Sequence, residues 1–411
     1  MNRALTAPNP REPNLWSALR ALPRPAWILF CGTFLNKFGT FVIPFLTLYL
    51  TGRGYSLAQA GLAVSAYGAG HLLASLLGGF LADALGRRST IVLSMFLGAA
   101  SMLLLSQAHA LSAIIAVTAL TGLTGELYRP ASSALLADLV PPGQRITAYS
   151  TYRLAFNAGW AFGPATAGFL AGHGFLWLFV GDAGSSALFG LVALFALPRD
   201  ARGNSRATDW REALTTMRGD RTLHRVLWAA AAVALIFFQI SSTLSLHVTR
   251  LGFSAATYGM LISLNGALIV CCELPLTTVT RRFPARLVMA AGYLMVGVGF
   301  ALNALAHTVG ALAGCMVVLT LGEMVAMPVC AAYVADLAPP HLRGRYLGVY
   351  AMTWAFGLMI GPSAGLRIMG ISSTVLWLTC AALGVLAAAA VLPGSRCRRA
   401  PAGLTAKAGP V

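Results

Sequence analysis

Three strings in this chain return 198 residues further on. Leu48-Tyr49-Leu50-Thr51, with Gly54-Tyr55-Ser56 and Gly61, comes back as Leu246-His247-Val248-Thr249 with Gly252-Phe253-Ser254 and Gly259. Ala137-Asp138-Leu139, with Pro141-Pro142 and Arg145, comes back as Ala335-Asp336-Leu337 with Pro339-Pro340 and Arg343. Gly163-Pro164 comes back as Gly361-Pro362. A register this constant means two copies of one unit, so whatever the chain folds into is built twice.

Hydropathy says what the unit is made of. The chain is 57% hydrophobic and 10% charged, with a mean hydropathy of +0.74. A protein surrounded by water has no use for so much apolar surface, whereas repeated membrane spans of about 20 residues each do. Runs bounded by Gly, Pro or charge mark twelve spans, numbered 1 to 12 here: 27–50, 57–82, 89–107, 111–139, 146–170, 175–197, 225–250, 257–280, 286–306, 309–335, 344–368 and 373–392. The expected fold is an all-α polytopic membrane protein of twelve transmembrane helices in two six-helix pseudo-repeats. Its segments are 1–26, a bundle over 27–197, a polar linker 198–224 with a short amphipathic helix near Trp210, a bundle over 225–392, and a tail 393–411.

The net charge of +17 would suit nucleic acid, but the basic residues are scattered among short loops without interleaved aromatics or zinc-finger spacing. Topology accounts for them better. With the N-terminus inside, the inner segments hold 23 of the 29 Lys and Arg, the outer loops three (Arg53, Arg250, Arg367) and the spans three (Lys37, Arg129, Arg153). Both termini are therefore expected in the cytoplasm. Residues 1–24 lack a signal peptide's apolar core, so the first span is expected to stay uncleaved. Six of the seven cysteines sit in or beside apolar runs, the seventh being Cys397, and they form no disulfide framework. No HExxH or paired-His spacing suggests a metal. Only Lys37 and Lys407 occur, neither followed by Ser or Thr, so the phosphate loop of an ATP-driven pump is missing. Neither ATP, a cofactor nor nucleic acid is expected; energy comes from a gradient.

Between spans 2 and 3 lies Gly79-Phe80-Leu81-Ala82-Asp83-Ala84-Leu85-Gly86-Arg87-Arg88. An acid at the end of one span, a short turn and paired bases before the next form a charged latch, which Asp138 at the end of span 4 can join. Position for position, the string resembles the loop signature of major facilitator superfamily transporters, as do the twelve spans and the parallel repeat. The resemblance implies a small-molecule substrate bound near the midplane between two halves. It also implies that Asp83 faces the start of span 11, near Gly344–Leu347, and holds an outward-facing state; a carboxylate is favoured at a helix N-terminus. The second copy, Thr280 to Arg286, has lost the acid and the glycine, so only the first half should latch. A monomer in a bacterial inner membrane is expected.

Span 5 carries Gly159, Gly163, Pro164 and Gly168, and span 11 carries Gly357, Gly361, Pro362 and Gly365. Glycines four apart let helices approach closely, and proline bends a span. The strings also resemble the span 5 signature of drug:proton antiporters, with Ala167 where a first glycine is usual. Ionisable residues within a bilayer are costly and often functional. By the resemblance, spans 1, 4, 7 and 10 line the cavity, and these hold Asn36 and Lys37, Glu126 and Arg129, Gln239, and Glu323. Glu126 and Glu323 stand 197 residues apart, nearly equivalent in the repeat. Counting from Pro142 places Asn157 of span 5 at the depth of Glu126. Glu126 and Arg129 share a helix face and can neutralise each other, while Lys37 can pair with either glutamate. Glu323 has no base within a turn. Since removal from water disfavours a charged carboxylate, it is the first candidate to carry a proton, with Glu126 second. Arg153 and Glu273 read as structural or site charges; Asp182 and His71 are weaker candidates. The family's Arg four residues before a span 4 glycine is Thr118 here, ahead of Gly122, and the span 1 acid is replaced by Asn36-Lys37. The expected function is proton-coupled efflux, by alternating access, of a small amphipathic compound, as in multidrug resistance. The alternatives are proton-coupled uptake of a nutrient and, more remotely, a membrane enzyme or sensor.

Overall fold

The computed structural model describes residues 19–141, 144–199, 210–280, 282–339 and 342–392. Most of the N-terminal segment, residues 200–209 of the linker, and the 393–411 tail with Cys397 lie outside the described residues. Among the described residues every regular element is helical. Among the described residues eleven helical stretches are long and apolar enough to cross a membrane. The twelfth, span 5, runs from Arg145 to Ala171 over 27 residues, about 40 Å at helical rise and ample for a core of about 30 Å. Its hydropathy is lowered by Asn157, Trp160, Thr166 and the glycine-proline string, which pack against spans 1 and 8.

Span 2 is Leu57–Ala84, span 3 Arg87–Gln107 and span 6 Leu176–Ala196. Spans 8 to 12 are Ala255–Thr280, Ala285–Ala301 with a short 3-10 turn, Val309–Leu337, Arg343–Ile371 and Ser373–Val391. Three spans are not continuous. Span 1 is Arg24–Phe38 followed by Val42–Gly52, and span 4 is Leu111–Glu126 followed by Tyr128–Leu139. Span 7 is Arg221–Phe237, a 3-10 turn at Phe238–Ser241, and Thr243–Arg250. The breaks in spans 1 and 7 fall at repeat-equivalent positions: Phe41 and Gln239 are 198 apart. A linker helix, Trp210–Gly219, precedes span 7, and Asp220 caps that span by accepting from the amides of Thr222 and Leu223 at 3.0 and 2.9 Å.

Even-numbered spans end, and odd-numbered spans begin, on the side that carries the Asp83–Arg88 turn, called here the latch side. Within the N-half, spans 1 and 5, 2 and 4, and 3 and 6 pack together, and spans 7 and 11, 8 and 10, and 9 and 12 repeat the arrangement. The halves meet through spans 2 and 11 and spans 5 and 8. The glycine contacts of these seams lie in the far-side half of the helices, opposite the latch. A Cβ at Gly61 would lie 3.0 Å from Ser363 Cα, one at Gly168 would lie 2.8 Å from Ala255 O, and Ser65 Oγ accepts from the Ser363 amide at 3.1 Å. Toward their latch-side ends spans 2 and 11 each carry a glycine, Gly79 and Gly348, whose Cβ would meet nothing within 4 Å.

Candidate functional site

The charged groups of the N-half core gather around Glu126, the last helical residue before the bend in span 4. Lys37 of span 1 places its Nζ 3.0 Å from Glu126 Oε1, and both side chains are buried. The Tyr67 hydroxyl, from span 2, donates to the same oxygen at 3.0 Å. Arg129 lies 3.7 Å from Oε2, an oxygen without a hydrogen-bond donor of its own. The Phe156 ring supports both cations, with Lys37 Nζ at 5.3 Å and the Arg129 guanidinium at 5.2 Å from its centre. Glu126 thus answers chiefly to Lys37, and Arg129 on its own helix is the lesser partner. Asn157, placed beside this cluster by depth, is half-buried and makes no side-chain hydrogen bond among the described residues.

The break in span 1 is built into the same core. Chain interruption at Gly39–Phe41 frees backbone amides that must find acceptors. Asp182 of span 6 supplies one oxygen to both, accepting from Phe41 N at 3.2 Å and from Val42 N at 3.3 Å. Asn36 donates to Ser186 Oγ at 3.2 Å, one turn further along span 6. Between the Lys37–Glu126 pair and Asp182 lies a cavity of about 30 Å³, room for a water molecule. Its walls come from spans 1, 2, 3, 4 and 6 alone, so it is internal to the N-half.

Span 7 closes its break differently. Gln239, expected to line a central cavity, is buried and bonds to backbone instead, donating to Leu235 O at 2.8 Å and Gly361 O at 2.9 Å and accepting from Thr243 Oγ1 at 3.2 Å. Tyr258 of span 8 then joins the two breaks. Its hydroxyl lies 2.9 Å from both Pro44 O, just past the break in span 1, and Ile240 O, within the break in span 7. The ring packs edge-on against Phe45 at 5.1 Å.

The glycine-proline strings serve these breaks. A Cβ on Gly159 would lie 2.6 Å from Lys37 Cβ, and one on Gly163 would strike Phe38 O. In the second half, Gly357 faces Ala234, and Gly361 and Gly365 face Leu235 and Gln239 of span 7. Each string therefore lets its span press against a broken helix of its own half. On the next face of span 5, Pro164 and Gly168 meet Gly259 and Ala255 of span 8, across the halves.

In the C-half, Glu323 of span 10 accepts from Asn265 Nδ2 of span 8 at 2.8 Å, and the same amide reaches Thr320 Oγ1 at 3.0 Å. Glu323 has no ion pair among the described residues. Asn265 is 198 residues from Tyr67, so each mid-membrane glutamate takes a hydrogen bond from the same position of its half. Arg153 of span 5 forms a salt bridge with Glu273 of span 8. That bridge crosses between the halves, about 11 Å inside the latch-side ends of both helices.

At the latch, Arg87 donates to Asp83 Oδ1 at 2.8 Å and to Ala82 O at 3.3 Å. Its Nε lies 2.9 Å from Asp138 Oδ2 without hydrogen-bond alignment, an ion pair only. Arg88 turns away and donates to Leu194 O of span 6. Gly86 sits at φ 99°, a left-handed conformation that glycine alone adopts without strain, as the N-cap of span 3. Asp83 thus engages its own half; the tight contact of span 2 with span 11 at Gly68 and Met359 is fifteen residues or about 22 Å away along the helix. Tyr67, Asn265, Tyr258 and Phe156 did not emerge from sequence reasoning. Only Asn265 had a usable signal there, through the repeat register.

The family model described as Major Facilitator Superfamily matches residues 29–272 and 249–408. The chain is 28% identical to the uncharacterized MFS-type transporter YqjV of Bacillus subtilis over 349 residues, 83% of this chain and 85% of that one. It is 25% identical to the Na(+), Li(+), K(+)/H(+) antiporter of Planococcus maritimus, covering 80% and 85% of the two chains. With the multidrug resistance protein MdtH of Aeromonas hydrophila it shares 27% identity, covering 82% and 86%. Among solved structures, the nucleoside transporter NupG superposes with a TM-score of 0.79 at 16% identity over 90% of this chain and 99% of that one.

Proposed function

The chain belongs to the major facilitator superfamily, and on that premise we propose that it exports a small amphipathic compound in exchange for protons, with the latch side facing the cytoplasm. The unequal pairing of the two mid-membrane glutamates carries the proposal. Glu126 is neutralised within its half by Lys37 at 3.0 Å, whereas Glu323 is held by the neutral Asn265. Glu323 can therefore gain or lose a proton without breaking an ion pair, and Glu126 cannot. Two relatives support the same direction by their names: one is a multidrug resistance protein, the other exchanges alkali cations for protons.

In this reading the structure is one end of an alternating-access cycle, shut on the far side by the Tyr258 bonds and the glycine seams. Substrate enters between the halves from the latch side. Arg153 is the movable counter-charge: it pairs with Glu273 across the halves, and Glu273 shares span 8 with Asn265, the partner of Glu323. Proton exchange at Glu323 then biases whether the latch side stays open. Neither ATP nor a cofactor takes part.

Proteoliposomes with an imposed pH gradient and a panel of amphipathic cations, zwitterions and anions test this, with orientation fixed by an impermeant thiol reagent on Cys397. Antiport requires at least one compound to move against the proton flux. Movement only in the same direction as protons makes the protein a symporter and overturns the export reading.

A further inference from the structure

A groove of about 670 Å³ opens on the outer surface of the N-half between spans 3 and 6, next to the latch. Its chemistry is layered. Arg88 and Ser89, in the first turn of span 3, and Arg199, just beyond span 6, line the rim. Leu93, Phe96 and Leu97 form the wall below and are more than a third exposed. From Arg88 to Leu97 the helix advances about 13 Å, the step from the headgroup layer into the hydrocarbon. The bond from Arg88 to Leu194 O fixes one guanidinium at the rim. Arg199 is exposed and has no ion pair among the described residues.

We propose that this groove is a binding site for an anionic phospholipid of the latch-side leaflet, its phosphate held by Arg88, Ser89 and Arg199 and an acyl chain lying along Leu93, Phe96 and Leu97. Lipid contact alone accounts for the apolar wall, since any bilayer chain would cover it. Two arginines lining one groove above that wall select for charge, because Arg binds phosphate oxygens in a paired, planar geometry. Basic pockets between membrane helices favour anionic headgroups for the same reason. Leu85 also lines the groove, and it lies in the turn between Asp83 and Arg87. An occupied site therefore stiffens the latch turn, whichever compound the protein carries.

Native mass spectrometry of the full-length chain, released from micelles with phosphatidylglycerol or phosphatidylcholine of identical acyl chains, tests the site. Phosphatidylglycerol should be retained in preference to phosphatidylcholine, and excess inorganic phosphate should not displace it. Arg199→Gln should lower retention about fivefold, the effect of one basic residue near an anionic headgroup; adding Arg88→Gln should bring it to the phosphatidylcholine level. Arg199 is exposed, so the single variant decides the matter even if the double variant folds poorly. A photoreactive benzoyl group at Phe96 should crosslink phosphatidylglycerol in wild type and lose that adduct in Arg199→Gln. Equal retention of both lipids, or retention unchanged by Arg199→Gln, makes the groove ordinary lipid-facing surface and overturns the proposal.

Discussion

Lys37 and Glu126 meet at 3.0 Å in the N-half core, one on a broken helix and one at a bend. Removing one partner of a buried pair leaves the other charge uncompensated, which costs about 3–5 kcal/mol, whereas replacing both with neutral groups is often tolerated. Lys37→Met should therefore lower the unfolding temperature of the purified protein markedly, and Lys37→Met with Glu126→Gln should regain most of the loss. Thermal unfolding of wild type, both single variants (Lys37→Met and Glu126→Gln) and the double variant checks it; a single variant as stable as wild type would show that the pair carries no such weight. The sequence placed both residues at mid-membrane and left Lys37 open between Glu126 and Glu323. Which acid it meets depends on how spans 1 and 4 rotate against each other, and that rotation is set by Gly159 and Gly163 pressing span 5 onto Lys37 and Phe38. No spacing along a single helix contains it.

At the scale of elements, the breaks in spans 1 and 7 matter most, and each is satisfied by its own device. Asp182 takes the freed amides of span 1, Gln239 braces span 7, and Tyr258 joins them from the other side. The spans themselves were legible because hydropathy and a period of about 20 residues report them directly. The breaks were not, because Gly39-Thr40-Phe41 and Phe238-Gln239-Ile240 contain no proline and continue an apolar run. Buried hydrogen bonds from neighbouring spans hold the chain open there. If Tyr258 staples the far side, Tyr258→Phe removes its hydroxyl from two buried carbonyls, a loss of about 1–3 kcal/mol. The closed state should be depopulated severalfold. Nitroxides at Arg53 and Arg250, on the far-side ends of spans 1 and 7, should report a longer distance in a larger fraction of molecules. An unchanged distance distribution would remove Tyr258 from the closure.

For the whole molecule, the constant register of 198 residues foretold two equivalent halves, and the packing of spans 1 to 6 returns in spans 7 to 12. What the register did not convey is how far the halves have diverged in charge. The N-half keeps Lys37, Glu126, Arg129 and Asp182 within one core, while the C-half holds Glu323 on Asn265 and lends Glu273 to Arg153 across the interface. On the export reading proposed above, that asymmetry assigns one half the role of a fixed frame and the other the exchangeable acid, and it is the centre of the transport account. Glu323→Gln tests it most directly, because glutamine keeps the size and the hydrogen bond with Asn265 but cannot exchange a proton. In proteoliposomes, Glu323→Gln should abolish transport driven by a pH gradient while substrate exchange across the membrane without a gradient continues at a measurable rate. Full gradient-driven transport by Glu323→Gln would contradict the account.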